Sequence, residues 1–423
     1  MTAKRMTWIV GALLFLATAV NYLDRLALPI VSPLLRKEFA LSEQDYGQIV
    51  ALFMIAYAIM YAGSGYLVDR FGTKRGFAIF ISFWSAAAML HALATGKWSL
   101  AACRFLLGLG EPGNWPAAAR AVNEWFEPRF RALGVGVFNA GSSLGSAFAP
   151  PVIAFLTIAF GWRAAFLFTG GAGFVWLAAW LAIYRTPRHF YASEAQRART
   201  DWRKVLRDPA TFPLILVRLL TDPVIYFVIF WLPEYLHKER GFDTAMVGRY
   251  AWVPYFCGAV AYFFSGWLSG HLIGRGWTMA RSRKSGMLWG ACFLPVAIAA
   301  PLVPNAGLAI ACVCFVTVGH AFWIANLQAL PADLFPAGEV GTVSGFTGSG
   351  GAIGGAIASL GTGWLVQHFS YAPVFLMAGL MHPISAGLTY ALLPDRRFHE
   401  LHSGPRLPTV HVTPSASQNS TPA

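Results

Sequence analysis

The chain has 423 residues, 56% of them hydrophobic and only 12% charged, where a soluble globular protein carries roughly 25% charged residues. That excludes a soluble domain and makes this an integral membrane protein. The net charge of +13 would suit a nucleic-acid partner, but the placement of the basic residues points elsewhere.

Apolar windows long enough to cross a bilayer predict an all-α membrane protein of twelve helices. They lie near residues 7–30, 47–68, 76–95, 98–120, 132–159, 164–184, 212–235, 248–270, 285–303, 306–329, 340–367 and 371–393. With the N-terminus inside, 22 of the 32 Lys and Arg residues fall in cytoplasmic segments and 7 outside (Arg36, Lys37, Lys97, Arg163, Lys238, Arg240, Arg249). The remaining 3 fall within helices (Arg25, Arg104, Arg218). This is the positive-inside pattern, so the basic balance reflects topology and no nucleic acid is expected. The first stretch lacks a small-residue cleavage site and contains Asp24 and Arg25, so it reads as a retained helix and not a signal peptide. All five cysteines fall in predicted helices without metal-ligand spacing and read as packing residues.

Helix 1 carries NYLDR, Asn21 to Arg25. Either Asp24 and Arg25 mark the end of the span, or the apolar run LALPIV continues it and both are buried. Buried, Asp24 is a proton-carrier candidate, its charge disfavoured by burial and favoured by a nearby arginine. Helix 2 brings Tyr57 and Tyr61 to one face, as packing aromatics or as cavity lining. It runs into GYLVDRFGTKR, Gly65 to Arg75, a glycine- and charge-rich turn.

Helix 4 holds RFLLGLGEPGNWP, Arg104 to Pro116. Arg104 and Glu111 are seven residues apart, close to two turns, so a continuous helix projects both from one face about 10 Å apart. An ionisable residue at membrane depth is a functional-site hypothesis by default. Pro112 and Pro116 free carbonyls that a neighbouring helix or a watery cavity must satisfy. Gly108, Gly110 and Gly113 spell GxGxxG, but no strand precedes them, so a dinucleotide site fails its context test. In helix 5, Gly141 and Gly145 form a small-xxx-small packing face beside Asn139, Ser142 and Ser143. Those polar groups either meet a ligand or bond their own backbone.

Residues 186–210 are basic and polar, as a cytoplasmic linker between two halves should be. Trp115 and Trp323 are 208 residues apart, and so are Phe138 and Phe346, which supports two pseudo-symmetric six-helix bundles at 1–185 and 211–395. Helix 7 carries Arg218 and Asp222, an i,i+4 pair read as neutralising itself. Helix 10 carries His320, Trp323 and Asn326, with His320 and Trp323 on one face expected to look toward helix 4. Helix 11 is glycine-dense and includes Thr347 and Ser349; residues 396–423 form a Pro- and Ser-rich tail expected to be disordered.

Together NYLDR, the helix 2–3 turn, RFLLGLGE and WLPEYL resemble the anion:cation symporter branch of the major facilitator superfamily. GEPGNWPAAARAVNEWF is most similar to bacterial hexuronate and related sugar-acid transporters. The resemblance implies a proton-coupled importer of a sugar acid, with Asp24 and Glu111 as proton sites and Arg104 as their switching partner. It implies that Arg25 and Tyr57 contact substrate, and that Gly65, Asp69, Arg70, Gly72, Lys74 and Arg75 form a cytoplasmic charge latch that gates the transporter. Ser142 stands where the family commonly has Gln, Ser349 where it has Asn, and Tyr61 where Gln is frequent.

A carboxylate needs a cation and a hydroxylated ring needs polar and aromatic groups. Arg25, Tyr57, Asn139, His320, Trp323 and Asn326 meet that need. A hexuronate such as glucuronate or galacturonate is the expected cargo; other organic anions (aldonate, aldarate, aromatic acid) are the alternative, and a proton-driven exporter a further one. No enzyme constellation is present in the sequence. Protons are the coupling ion, no cofactor or metal is expected, and the protein is read as a functional monomer in the inner membrane with both termini cytoplasmic.

Overall fold

The computed structural model describes residues 3–126, 131–186, 202–336, 339–393 and 395, without the side chains of 3, 4, 69 and 131–133. Among them every regular element is helical, and the helices follow one another as twelve rods. Helix 1 is Ala3–Glu38; helices 2 and 3 share Glu43–Leu90 and divide at Gly72. Helix 4 is assembled from Lys97–Gly110, a tight 3-10 turn Glu111–Gly113, and Asn114–Trp125. Helices 5 and 6 are Arg131–Phe160 and Trp162–Ile183, and a short helix Trp202–Arg207 precedes helix 7, Thr211–Arg240. Helix 8 comprises Thr244–Tyr250 and Trp252–Gly274, and helix 9 Met279–Phe293 with the turn Leu294–Ala299. Helix 10 is Ala306–Leu327 extended by Leu330–Leu334; helices 11 and 12 are Val340–His368 and Ala372–Leu392.

Nine stretches among the described residues are long and apolar enough to cross a membrane by length and composition alone. The other three rods have reasons to fall short. Helix 4 is interrupted at Glu111, helix 9 tightens after Phe293, and helix 11 is diluted by glycine, serine and threonine. Several bounds differ from expectation. Helix 1 continues past residue 30 to Glu38 and helix 7 past 235 to Arg240, while helix 9 begins at Met279 rather than near 285. Residues 187–201 of the expected linker and the tail at 396–423 lie outside the described residues.

Within the first six helices, helix 1 packs on helices 5 and 6, helix 4 packs on both helices 2 and 3, and helix 6 packs on helix 3 through Phe77, Ser85 and Met89. Within the second six, helix 8 packs on helix 10, helix 9 on helices 10 and 12, and helix 7 on helices 11 and 12. The two bundles meet along helices 2 and 11, 5 and 8, and 1 and 7. In a bilayer lipid tails are as apolar as the side chains, so close van der Waals packing must hold helices together. Gly141 and Gly145 supply it: a Cβ on either would come within 2.2 Å of the Phe15 carbonyl oxygen or 2.7 Å of the Ala19 carbonyl oxygen on helix 1. Trp176, Trp180 and Tyr184 add a stacked aromatic ladder, with ring centroids 5.1 and 3.9 Å apart.

Candidate functional site

Helix 1 stays helical through NYLDR because Asn21, Asp24 and Arg25 are all enclosed by neighbouring helices. Arg25 reaches helix 4, where Nε and Nη2 donate to the same oxygen of Glu111, Oε2, at 2.8 and 2.7 Å. Its Nη2 also meets Asn21 Oδ1 at 3.3 Å. The guanidinium lies between two rings, 4.7 Å from the Tyr22 centroid and 4.8 Å from that of Tyr57. The backbone of helix 4 tightens into its 3-10 turn at Glu111, with Pro112 next in the chain.

The backbone stays α-helical from Arg104 to Glu111, whose N–H still bonds to the Leu107 carbonyl, but Glu111 is held by Arg25 of helix 1. Arg104 is buried, and its Nη1 donates to the Arg25 carbonyl oxygen at 3.3 Å. Its Nε and Nη2 have no hydrogen-bond partner among the described residues. Asp24 is equally enclosed, at 1% exposure, and neither carboxyl oxygen is hydrogen-bonded there. The adjacent Trp84 Nε1 and Thr169 Oγ1 are unsatisfied too. An isolated buried carboxylate is expensive, so Asp24 is stable there only with a proton or with a cation brought to it. Arg104, with two free donors, is within electrostatic reach.

Tyr57 accepts a hydrogen bond from Trp115 Nε1 at 2.8 Å and packs on Tyr61, with centroids 5.6 Å apart. Asn139 and Ser142 bond within helix 5: Asn139 Nδ2 to the Val135 carbonyl at 3.0 Å and Ser142 Oγ to the Asn139 carbonyl at 2.7 Å. Ser349 Oγ bridges the halves, donating to the Ala58 carbonyl of helix 2 at 3.0 Å.

The helix 10 residues are not brought beside Arg25. Trp323 has no exposure and donates to Thr221 Oγ1 on helix 7 at 3.2 Å. His320 Nδ1 lies 3.2 Å from His382 Nε2 on helix 12. Asn326 Nδ2 donates to Ser265 Oγ at 3.1 Å and to the Phe322 carbonyl at 2.9 Å. Helix 10 packs chiefly on helices 8 and 9, with further contact to helix 7, so the face expected to look toward helix 4 looks into its own bundle.

In the helix 2–3 turn, Gly72 takes φ 76°, where a side chain is strained. Gly65 is half-buried beside Pro116, and Arg70 and Arg75 are exposed. The Asp69 side chain lies outside the described set. Trp180 Nε1 donates to the Lys74 carbonyl at 3.1 Å. Glu124, at the far end of helix 4, receives hydrogen bonds from Thr73 Oγ1 and the Tyr184 hydroxyl and pairs with Arg120 at 3.3 Å. Sequence reasoning passed over Glu124, although it falls within the quoted NEWF.

A second missed group joins the halves where helices 1 and 2, and 7 and 8, are connected. Arg36 on helix 1 pairs with Glu234 on helix 7 and with Glu43 at 2.8 Å. Ser32 Oγ donates to Glu234 at 2.8 Å, Lys238 to Glu43 at 2.9 Å, and Tyr46 OH to the Phe230 carbonyl at 2.6 Å. The Gln44 amide meets Gln367 Oε1 at 3.1 Å. The signal was present in WLPEYL and in the arginine and lysine themselves. It was lost because helices 1 and 7 were ended too early.

The sequence model for the Major Facilitator Superfamily matches residues 14–359 and 272–412. The chain belongs to that superfamily. Membership makes it a multi-pass membrane transporter and not an enzyme. Among superfamily relatives, the hexuronate transporter of Escherichia coli (strain K12) is 29% identical over 413 residues, covering 93% of this chain and 95% of that one. The galacturonate transporter of Dickeya chrysanthemi is 32% identical over 269 residues, covering 59% and 78%. The crystal structure of a D-xylose-proton symporter shares the fold, with TM-score 0.75 and 15% identity over 92% of this chain and 98% of that one.

Proposed function

We propose that this superfamily member is a proton-coupled importer of sugar acids, with hexuronates such as glucuronate and galacturonate as cargo, in a bacterial plasma membrane. The observation that carries this reading is the Arg25–Glu111 pair, a buried cation flanked by Tyr22 and Tyr57 and held by a carboxylate that a proton would neutralise. The transporters of hexuronate and galacturonate among the relatives support the choice of substrate.

In this mechanism, protonation of Glu111 releases Arg25 to a substrate carboxylate, an interaction suited to bidentate geometry. Tyr57 and Trp115 meet the hydroxylated ring. Asp24 is the second proton site, and Arg104, with donors to spare, turns to whichever carboxylate is ionised. The halves then rock about the bound substrate, and the seal of Arg36, Glu43, Glu234 and Lys238 is the outer closure by the positive-inside rule. Proton loss to the cytoplasm restores the Arg25–Glu111 pair and displaces the substrate.

The test is uptake of labelled glucuronate and galacturonate into proteoliposomes under an inward proton gradient, with and without a protonophore. Accumulation that collapses with protonophore is expected. Accumulation indifferent to the protonophore sinks the coupling, and no binding or uptake of either acid sinks the substrate class.

A further inference from the structure

We propose that His91 is a proton-transfer residue between the outer face and Asp24, acting through the Thr169 hydroxyl along the seam of helices 1, 3 and 6. This inference rests on the proton-coupled reading above and adds the route by which one proton arrives.

His91 follows helix 3 in the turn His91–Leu93 and has no exposure, whereas Leu93, two residues on, is 73% exposed. By the positive-inside rule this end is the outer one. The His91 ring stacks on Phe166 of helix 6, with centroids 4.8 Å apart and planes 11° from parallel. Its Nδ1 lies 2.8 Å from the Ala87 carbonyl oxygen and 3.2 Å from that of Ala88. A carbonyl only accepts, so Nδ1 carries the ring proton and Nε2 is left as the basic lone pair. Nε2 is buried and has no partner among the described residues. Backbone and stack together hold the imidazole in a tautomer that can take a proton.

Inward from His91 the seam carries unbonded polar atoms to Asp24. Thr169 lies three residues along helix 6 from Phe166, roughly 4.5 Å deeper at 1.5 Å per residue, and Gly173 lies one turn deeper again. A Cβ on Gly170 would come within 2.7 Å of the Ser85 carbonyl oxygen, and one on Gly173 within 1.9 Å of Ser85 Oγ, so helices 3 and 6 touch there. Val20 of helix 1 reaches to 3.8 Å of the same point at Gly173. Asp24 is one turn outward of Val20, as Thr169 is of Gly173, which sets Asp24 level with Thr169. Thr169 Oγ1, Ser85 Oγ and both Asp24 oxygens are buried and unbonded among the described residues. The charged group within electrostatic reach of His91 is Arg104 on helix 4; helix 6 faces it with Phe166, and helix 3 with the Ala87 and Ala88 carbonyls.

A proton from outside is taken by Nε2, giving an imidazolium with its Nδ1–H unchanged. Nε2 passes it to the Thr169 hydroxyl as that hydroxyl gives its own proton to the Asp24 carboxylate. Ring and hydroxyl end as they began, and Asp24 ends neutral. A histidine that only packed would need the stack and the backbone bond, but not unbonded hydroxyls leading to a buried acid.

The experiment compares full-length wild type, His91→Gln, Thr169→Val and Phe166→Leu in proteoliposomes. It reads the initial rate of glucuronate uptake under an inward proton gradient, and counterflow exchange without one. His91→Gln can still donate to the Ala87 carbonyl but takes no proton. Its uphill rate should fall by about tenfold or more, part of the roughly 10²–10⁴ that a positioned acid or base contributes to a proton step. Exchange, which needs no net proton transfer, should stay near the wild-type rate. Uptake in heavy water should show a larger isotope effect than wild type, a change that lost packing does not produce. Thr169→Val keeps the shape, deletes the hydroxyl and should behave alike; it decides the matter if His91→Gln does not fold. Phe166→Leu removes the stack, keeps the imidazole and should transport as wild type does. Wild-type uphill rates in His91→Gln, or equal loss of uptake and exchange with an unchanged isotope effect, overturn the proposal. Wild type that accumulates no glucuronate under the gradient removes the proton-coupled reading and this one with it.

Discussion

Arg25 holds Glu111 through Nε and Nη2 on a single carboxyl oxygen, at 2.8 and 2.7 Å, with 3% and 0% of the two side chains exposed. Breaking such a pair by deleting one partner strands the other's charge away from water, at about 3–5 kcal/mol. Arg25→Ala should therefore lower thermal stability in detergent more than Glu111→Gln, whose amide oxygen still accepts from the arginine. Arg25→Met/Glu111→Gln should recover much of the loss. Equal and additive melting shifts in the three variants would show that the pair is not coupled.

Glu111→Gln separates coupling from exchange. Uphill uptake driven by a proton gradient should be lost, because the residue can no longer take up and release the proton, while counterflow exchange of bound substrate survives. Unimpaired uphill uptake would falsify the role assigned to Glu111.

Asp24 calls for the opposite expectation on stability. Its oxygens have no partner among the described residues, so Asp24→Asn removes an expensive buried acid without removing a hydrogen bond. Thermal stability should hold within about 0.5 kcal/mol or rise, while the pH dependence of transport flattens. A melting temperature that falls steeply would mean that the carboxylate is paired in the protein.

Gly141 is predicted to be intolerant of any side chain. An added Cβ would sit 2.2 Å from the backbone oxygen of Phe15, and backbone cannot give way as a flexible side chain can. Gly141→Leu should reduce the yield of monodisperse protein sharply, whereas Gly136→Leu on the same helix, with no atom within 4 Å of its added Cβ, should be tolerated. Size-exclusion chromatography of the two variants decides it.

The seal between the halves is testable by cross-linking. Gln44 and Gln367 are exposed and joined by a hydrogen bond across the interface. With the five native cysteines replaced, Gln44→Cys/Gln367→Cys should form a disulfide on mild oxidation, arrest transport, and recover with reductant. Full transport in the cross-linked protein would show that this end need not open.

Much of the architecture was legible in linear patterns. Helix 11 was recognised from its apolar windows although glycines dilute it, and the Gly141–Gly145 spacing announced a close helix contact. The partner of Glu111 was not legible. A constant 3.6-residue period put Arg104 and Glu111 on one helix, and the backbone stays helical between them, but the glutamate pairs with an arginine of helix 1. The ends of helices 1 and 7 were misread for a related reason: Arg36 and Lys238 looked like loop charges, yet they sit on helical extensions that satisfy them across the halves.

What the sequence by itself determined was the membrane, the twelve-helix order, and the few ionisable residues that a bilayer would not tolerate without a purpose. These follow from burial costs that depend on residue type alone. Only the tertiary structure decided the partners: Arg25 with Glu111, Asp24 with none, His320 with His382, and Arg36 with Glu234. Pairing depends on which helices lie side by side and where each one breaks, and a one-dimensional period carries neither.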